Sequence, residues 1–228
     1  MTTSTQAPAA VGERRDVARW LHVAIAAVAA AGLVIQLALL FAGGEDVNSG
    51  SGAAAVPLGT RLLRFFSYFT IQSNILVLVV SILLALRPGR DGAFWRTVRL
   101  DALLGIVITG IVYATILAPL AHFEGTALLA TVLLHYVSPW LFLACWLLVG
   151  PRPRIGWITV AAAFAWPAAW IAYTLIHGAI SGWYPYPFLN VTQLGFPIAL
   201  RNIVIILLAA AVIAVIFRLL DRLPSLDR

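Results

Sequence analysis

The sequence predicts an all-α, polytopic membrane protein: a bundle of six transmembrane helices with both termini in the cytoplasm. Of its 228 residues, 62% are hydrophobic and only 11% are charged, against roughly a quarter charged in a soluble globular domain. The apolar residues gather into about six runs, each near the 20 or so residues needed to cross a bilayer. All 15 basic residues are arginine, and most lie in short clusters between alternate runs, a pattern of membrane topology and not of a nucleic-acid-binding patch. Nucleic acid is therefore not an expected partner despite a net charge of +6. Membrane lipids are, and the alanine-rich, lysine-free composition suits a bacterial plasma membrane.

Residues 1–19 are polar and read as a disordered cytoplasmic tail. The apolar run behind them, Trp20 to Ala42, exceeds the roughly 7–15 residues of a secretion signal's core, so it is expected to be a retained helix. The other spans are expected at Leu62 to Leu86, Leu100 to Leu120, Ala127 to Val149, Trp157 to Ile180 and Pro197 to Leu220. Short connections make residues 20–220 one bundle, followed by a cytoplasmic tail, 221–228. Arginines precede the first span, follow the sixth, and fill the loops around residues 87–99 and 152–154, which the positive-inside rule assigns to the cytoplasm. The loops at 43–60, 121–126 and 181–196 then face outward. The segment "WYPYPFLN" (183–190) reads as an outer interfacial anchor or a lid, because Trp and Tyr favour the head-group region. Trp20, Trp95 and Trp157 form the corresponding inner belt.

The single cysteine, Cys145, allows neither an intrachain disulfide nor a multi-thiolate metal site. His135 and His177, the one plausible haem-ligand pair, lie at different depths. No metal and no cofactor are expected.

Topology gives a depth for each polar residue inside a span. Counting from Arg61, Thr70 lies about nine residues in, or about 13 Å at the helical rise. His135 lies about as deep when counted from Thr126, so the two side chains can meet. Ser67, Thr70 and Asn74 are spaced three and four apart and share a helical face; Gln72 flanks them. Pro139 lacks an amide hydrogen, so the carbonyl of His135 loses its helical partner and a bend is expected there. A bend of this kind is tolerated where it lines a cavity. Tyr113 and His177 add polar groups near the outer ends of the third and fifth spans. Arg61, Arg64 and Arg201 break the positive-inside pattern. They either snorkel or pair with Glu45, Asp46 or Glu124, or else Arg64 and Arg201 bind a lipid head group or a substrate carboxylate. Asp101 is expected to cap the third span or pair with Arg99.

The segments "FSYFTIQSN" (66–74), "LLHYVSPWLF" (133–142) and "YTLIHGAISGWYPYPFLNV" (173–191) resemble, in that order and across nearly the whole chain, the bacterial Pr-six-Pr membrane proteins, a family without an assigned activity. More distantly they resemble the eukaryotic androgen-induced-gene membrane proteins, six-span hydrolases that cleave fatty acid esters of hydroxy fatty acids with an intramembrane threonine and histidine. The distant resemblance implies a lipid-ester hydrolase in which His135 is the general base and either Thr70 or Ser67 the nucleophile. Depth favours Thr70, since Ser67 sits about 4–5 Å higher. In the eukaryotic family the histidine precedes its proline by one residue more than His135 precedes Pro139. Where the bacterial family often carries Arg-Gly, this chain has His177-Gly178.

An alcohol needs a neighbouring base to act as a nucleophile at neutral pH, and Gln72, Asn74 or Tyr113 would donate to the developing oxyanion. The substrate's acyl chain is expected against Phe65, Phe66, Phe69 and Trp140. The alternative is a non-catalytic protein that binds lipid or another small molecule, or a transporter. Transport is disfavoured because neither mid-membrane acidic residues nor a second broken helix in a matching repeat is evident, nor any internal repeat.

Overall fold

The computed structural model describes residues 8–43, 56–120 and 122–223, with side chains from residue 16 onward. Six helices in it are long and apolar enough to cross a bilayer: Asp16–Phe41, Phe69–Leu86, Ala93–Leu120, Gly125–Val149, Trp157–Ser181 and Phe196–Leu220. The chain is therefore an all-helical integral membrane protein. Glu45, Asp46 and residues 1–7 and 224–228 fall outside the described residues.

The first helix, α1 (Pro8–Phe41), starts well before its apolar run. Residues 8–19, expected as an unstructured tail, are its first turns. The expected second span is two helices, α2 (Leu58–Ser67) and α3 (Phe69–Leu86), separated by Tyr68 in an extended conformation (φ −69°, ψ 127°). The third span starts earlier than its apolar run implied: α4 (Ala93–Val112) takes in Arg96 and Arg99, then widens into a π turn (Tyr113–Leu117) and tightens into a 3-10 turn (Ala118–Leu120). The fourth consists of α5 (Gly125–Val132), a π turn (Leu133–Val137) and α6 (Ser138–Val149). The bend expected from Pro139 is this π turn. The fifth breaks at Phe164, between α7 (Trp157–Ala163) and α8 (Ala165–Ser181), because Pro167 cannot donate to the carbonyl of Ala163. A short α9 (Val191–Leu194) leads into α10 (Phe196–Leu220).

The core has two parts. Toward the arginine-rich end an aliphatic and aromatic cluster has Val77, Val80, Leu103, Ile106 and Phe142 at its centre. Toward the other end Tyr68, Tyr113, Leu134, Trp170 and Tyr186 pack together, and buried polar groups lie among them. The helix α4 is central: it packs on α3, α6 and α7, whereas α10 touches its neighbours lightly. The last two spans are only 22% buried, against 50% for the second and third, so a groove is left between α4, α8 and α10.

Gly110 lets α4 close on the proline bend. A Cβ there would lie 3.0 Å from Cβ of Pro139 and 3.3 Å from the carbonyl oxygen of His135. Gly110→Val is expected to destabilise the detergent-solubilised protein by about 1–3 kcal/mol through overpacking, measured as a lowered midpoint of thermal unfolding.

Candidate active site

The break at Tyr68 leaves backbone groups without helical partners in the middle of an apolar bundle, where each must be satisfied internally. Three side chains do this. The Trp170 indole donates to the carbonyl of Ser67 at 2.9 Å, the Gln72 amide donates to that of Phe66 at 2.9 Å, and the backbone amide of Thr70 donates to the Tyr186 hydroxyl at 3.2 Å. Thr70 thus sits in the first turn of α3, where the helix dipole favours negative charge.

The π turn in the fourth span aims His135 at that position. The ring is fully buried, and its Nε2 lies 3.3 Å from Thr70 Oγ1. Its Nδ1 is 3.1 Å from the carbonyl oxygen of Thr131. A carbonyl can only accept, so Nδ1 carries the proton, and in the neutral ring Nε2 is left as an acceptor for the Thr70 hydroxyl. The other π turn presents Tyr113, whose ring stacks on the imidazole with centroids 4.0 Å apart. Such turns in otherwise α-helical spans recur at functional sites. The Tyr186 hydroxyl lies 3.4 Å from Thr70 Oγ1.

The remaining expected site residues are distributed otherwise. The hydroxyl of Ser67 donates to the carbonyl of Leu63 at 2.7 Å and pairs with the Tyr173 hydroxyl at 2.6 Å. The break turns it toward α8, so Ser67 and Thr70 do not share a continuous helical face. Gln72 is used at both ends, since its Oε1 accepts from the Trp166 indole at 3.0 Å. Asn74 spends its amide hydrogens on the carbonyls of Thr70 and Leu134, at 2.9 and 3.2 Å. Neither is placed as an oxyanion donor. His177 stacks on Tyr173 and lies 3.4 Å from Ser181 Oγ, away from His135. Arg64 lies over the Trp183 ring, 5.0 Å from its centroid, and exposed Arg201 donates to its neighbour Asn202. Neither arginine pairs with Glu124 among the described residues.

Sequence reasoning missed Tyr186. The 183–190 loop is not simply an interfacial anchor: Tyr186 and Leu189 are buried, and Asn202 of α10 ties the loop down by donating to the carbonyl of Phe188 at 2.9 Å. A Tyr between two prolines, Pro185 and Pro187, was the available signal, since a stiffened aromatic of this kind can be inserted at low entropic cost.

Thr70 opens on a pocket of about 800 Å³, mouth included, that follows the groove between α4, α8 and α10. Its wall is apolar, with Leu104, Ile108, Trp170 and Leu207 prominent, and Asp101 also lines it. Asp101 neither caps α4, whose N-cap is Gly92, nor pairs with Arg99. Its Oδ1 is buried without a hydrogen-bond partner among the described residues. Of the aromatics expected along an acyl chain, Phe69 lines the pocket, Phe65 is in the core, and Phe66 and Trp140 lie on the bundle's outer surface, 51% and 42% exposed.

Fold and site together define a six-span integral membrane helix bundle with a buried threonine–histidine pair beside an apolar pocket. Compared with known proteins, the chain matches no family model, no curated protein and no solved structure. The family resemblance therefore stands on the three motifs alone.

Proposed function

We propose that the protein is an intramembrane hydrolase of lipid esters, of the fatty acid ester of hydroxy fatty acid type, with Thr70 as nucleophile and His135 as general base. The observation that carries this reading is the chain of contacts Thr70 Oγ1, His135 Nε2, His135 Nδ1, Thr131 carbonyl, at 3.3 and 3.1 Å, in which the imidazole has its basic nitrogen toward the alcohol. The apolar pocket supports a substrate with an aliphatic chain.

In this mechanism Thr70 Oγ1 attacks the ester carbonyl carbon while its proton passes to His135 Nε2. The tetrahedral intermediate collapses, the ester C–O bond breaks, and the imidazolium returns the proton to the departing alkoxide, leaving an acyl-threonine. Water, deprotonated by the same nitrogen, attacks that ester and releases the carboxylic acid. Tyr186, whose hydroxyl faces Thr70, replaces Gln72 and Asn74 as the donor toward the oxyanion, assisted by the α3 dipole. The chain lies in the groove. Asp101 is eight residues from Thr109 along α4, about 12 Å, and favours chains that end before reaching it.

A fluorophosphonate probe tests the reading on detergent-purified protein. Labelling is expected in the wild type and in Ser67→Ala and is expected to fall to background in Thr70→Ala. A wild type that stays unlabelled where a control membrane hydrolase reacts would move the assignment to the non-catalytic lipid-binding alternative.

A further inference from the structure

At the end of the bundle opposite Thr70, a second cavity of about 420 Å³, mouth included, is lined by His22, Arg96, Arg99, Arg154 and Asp221, among others. Arg99 is its most buried cation, 8% exposed. Its Nη2 donates to the carbonyl of Pro151 at 3.2 Å, whereas Nη1 is buried with no hydrogen-bond partner among the described residues. The nearby carboxylates are already engaged. Asp91 takes two bonds from Arg96, at 2.7 and 2.6 Å, and pairs with Arg154 as well. These contacts hold the Asp91 carboxyl below the usual carboxylate range, the Arg96 hydrogen bond foremost. Asp221 Oδ2 accepts the backbone amides of Arg154 and Ile155 at 2.6 and 2.7 Å, and its Oδ1 is buried with no hydrogen-bond partner among the described residues.

Three guanidiniums against two carboxylates leave one positive charge, and it is carried by a buried group with an idle donor. The positive-inside rule explains why arginines gather at this end. It does not explain why Arg99 is withdrawn from water with a donor idle, which is costly unless the charge is compensated; Arg152, 6% exposed at the same end, gives its guanidinium hydrogens to the carbonyls of Leu220 and Leu147. Arg96 and Arg154 have side chains 41% and 30% exposed, so both can turn from Asp91 toward a ligand at the cavity mouth.

We infer that this cavity is a phosphate-binding site, in which Arg99 Nη1 donates from the floor and Arg96 and Arg154 close over the phosphate oxygens. Phosphate suits the forked, always-charged guanidinium. The unpartnered Asp221 oxygen among the lining groups favours a phosphate that also carries a donor: a protonated oxygen, or a hydroxyl or ammonium on an attached head group. Trp157, exposed and stacked under Arg218 at 4.2 Å, marks this end as head-group level. A lipid phosphate and a free phosphate ester present the same chemistry to Arg99.

Thermal unfolding of the full chain in detergent separates the two sources. Three additions are compared at constant ionic strength: inorganic phosphate, phosphatidylglycerol in mixed micelles, and diacylglycerol, with chloride as the salt control. A saturable rise in midpoint with phosphatidylglycerol alone supports a lipid head-group site, and a rise with inorganic phosphate as well supports a site for soluble phosphates. Arg99→Gln is expected to weaken the effect by at least about tenfold, while Arg90→Gln leaves it intact. Should Arg99→Gln fail to fold, Arg96→Gln, at an exposed position, is expected to weaken it several-fold. No rise with either phosphate probe in the wild type, an equal rise with diacylglycerol, or an effect that the Arg99 variant (or, in its place, the Arg96 variant) leaves unchanged would overturn the inference.

Discussion

His135→Gln is expected to lower the rate of fluorophosphonate labelling and of lipid-ester hydrolysis by about 10²–10⁴-fold, the range for loss of a positioned general base, while the protein stays folded. Glutamine preserves much of what is structural about the histidine. Its amide can donate to the Thr131 carbonyl, which Nδ1 of His135 now approaches at 3.1 Å, and its oxygen can accept from Thr70. It cannot take up a proton at neutral pH. The substitution therefore removes the base while leaving a polar, hydrogen-bonding side chain in the buried position. His135→Ala is a harsher variant, because it leaves the Thr131 carbonyl and the Thr70 hydroxyl unpartnered in the core, a cost of about 1–3 kcal/mol for each buried polar group. The comparison separates the two roles. If Gln and Ala variants lose labelling alike but only Ala lowers the unfolding midpoint, the histidine acts as a base. If the Gln variant labels at the wild-type rate, His135 is a hydrogen-bonding partner of Thr70 and the hydrolase reading fails.

Much of the architecture was legible because a membrane span is defined by length and apolarity, and both are properties of the sequence. The bend at His135 was legible too, since a proline in a span has a fixed consequence for the carbonyl four residues earlier. The break at Tyr68 was not. The segment from Arg61 to Gln72 contains neither glycine nor proline, and nothing in it disfavours helix. The break is held by Trp170 and Tyr186, more than 100 residues away, which take up the backbone groups it frees. It is a tertiary effect that overrides local propensity. The same distance in sequence hid the sorting of the hydroxyls. Ser67, Thr70 and Asn74 have ideal helical spacing, yet the extended Tyr68 rotates Ser67 toward Tyr173 and leaves Thr70 with His135. Depth counting singled out the same pair because the rise along a helix is little changed by one extended residue. Asp101 was misread for the opposite reason. Its closeness to Arg99 in sequence suggested a pair, but residues two apart on a helix do not face each other.

Gly178→Ala is expected to disturb the candidate site from a distance and to be rescued by a second substitution. A Cβ on Gly178 would fall 2.1 Å from Cε1 of Tyr184, 2.3 Å from Cζ and 2.5 Å from Cδ1. The whole ring would have to move, since turning it about its own axis leaves Cζ, which lies on that axis, in place. Tyr184 is two residues from Tyr186 in a segment stiffened by Pro185 and Pro187, so its displacement is passed along the backbone and not absorbed by a flexible loop. The Tyr186 hydroxyl, 3.2 Å from the Thr70 amide, would be drawn from its place, leaving that amide unsatisfied. Overpacking of this kind costs about 1–3 kcal/mol, and a lost donor beside the nucleophile costs up to about 10²–10³ in rate. The expected result is a lowered unfolding midpoint together with slower probe labelling. Tyr184→Ala alone removes a half-buried ring that does not touch Thr70, and it should leave labelling largely intact. Combined with Gly178→Ala it removes the clash, so the double variant should label faster than Gly178→Ala by itself, a coupling of opposite sign to simple additivity. If the double variant labels no better than the single, Gly178 acts on the site by some route other than Tyr184, and the loop is not what holds Tyr186 over Thr70.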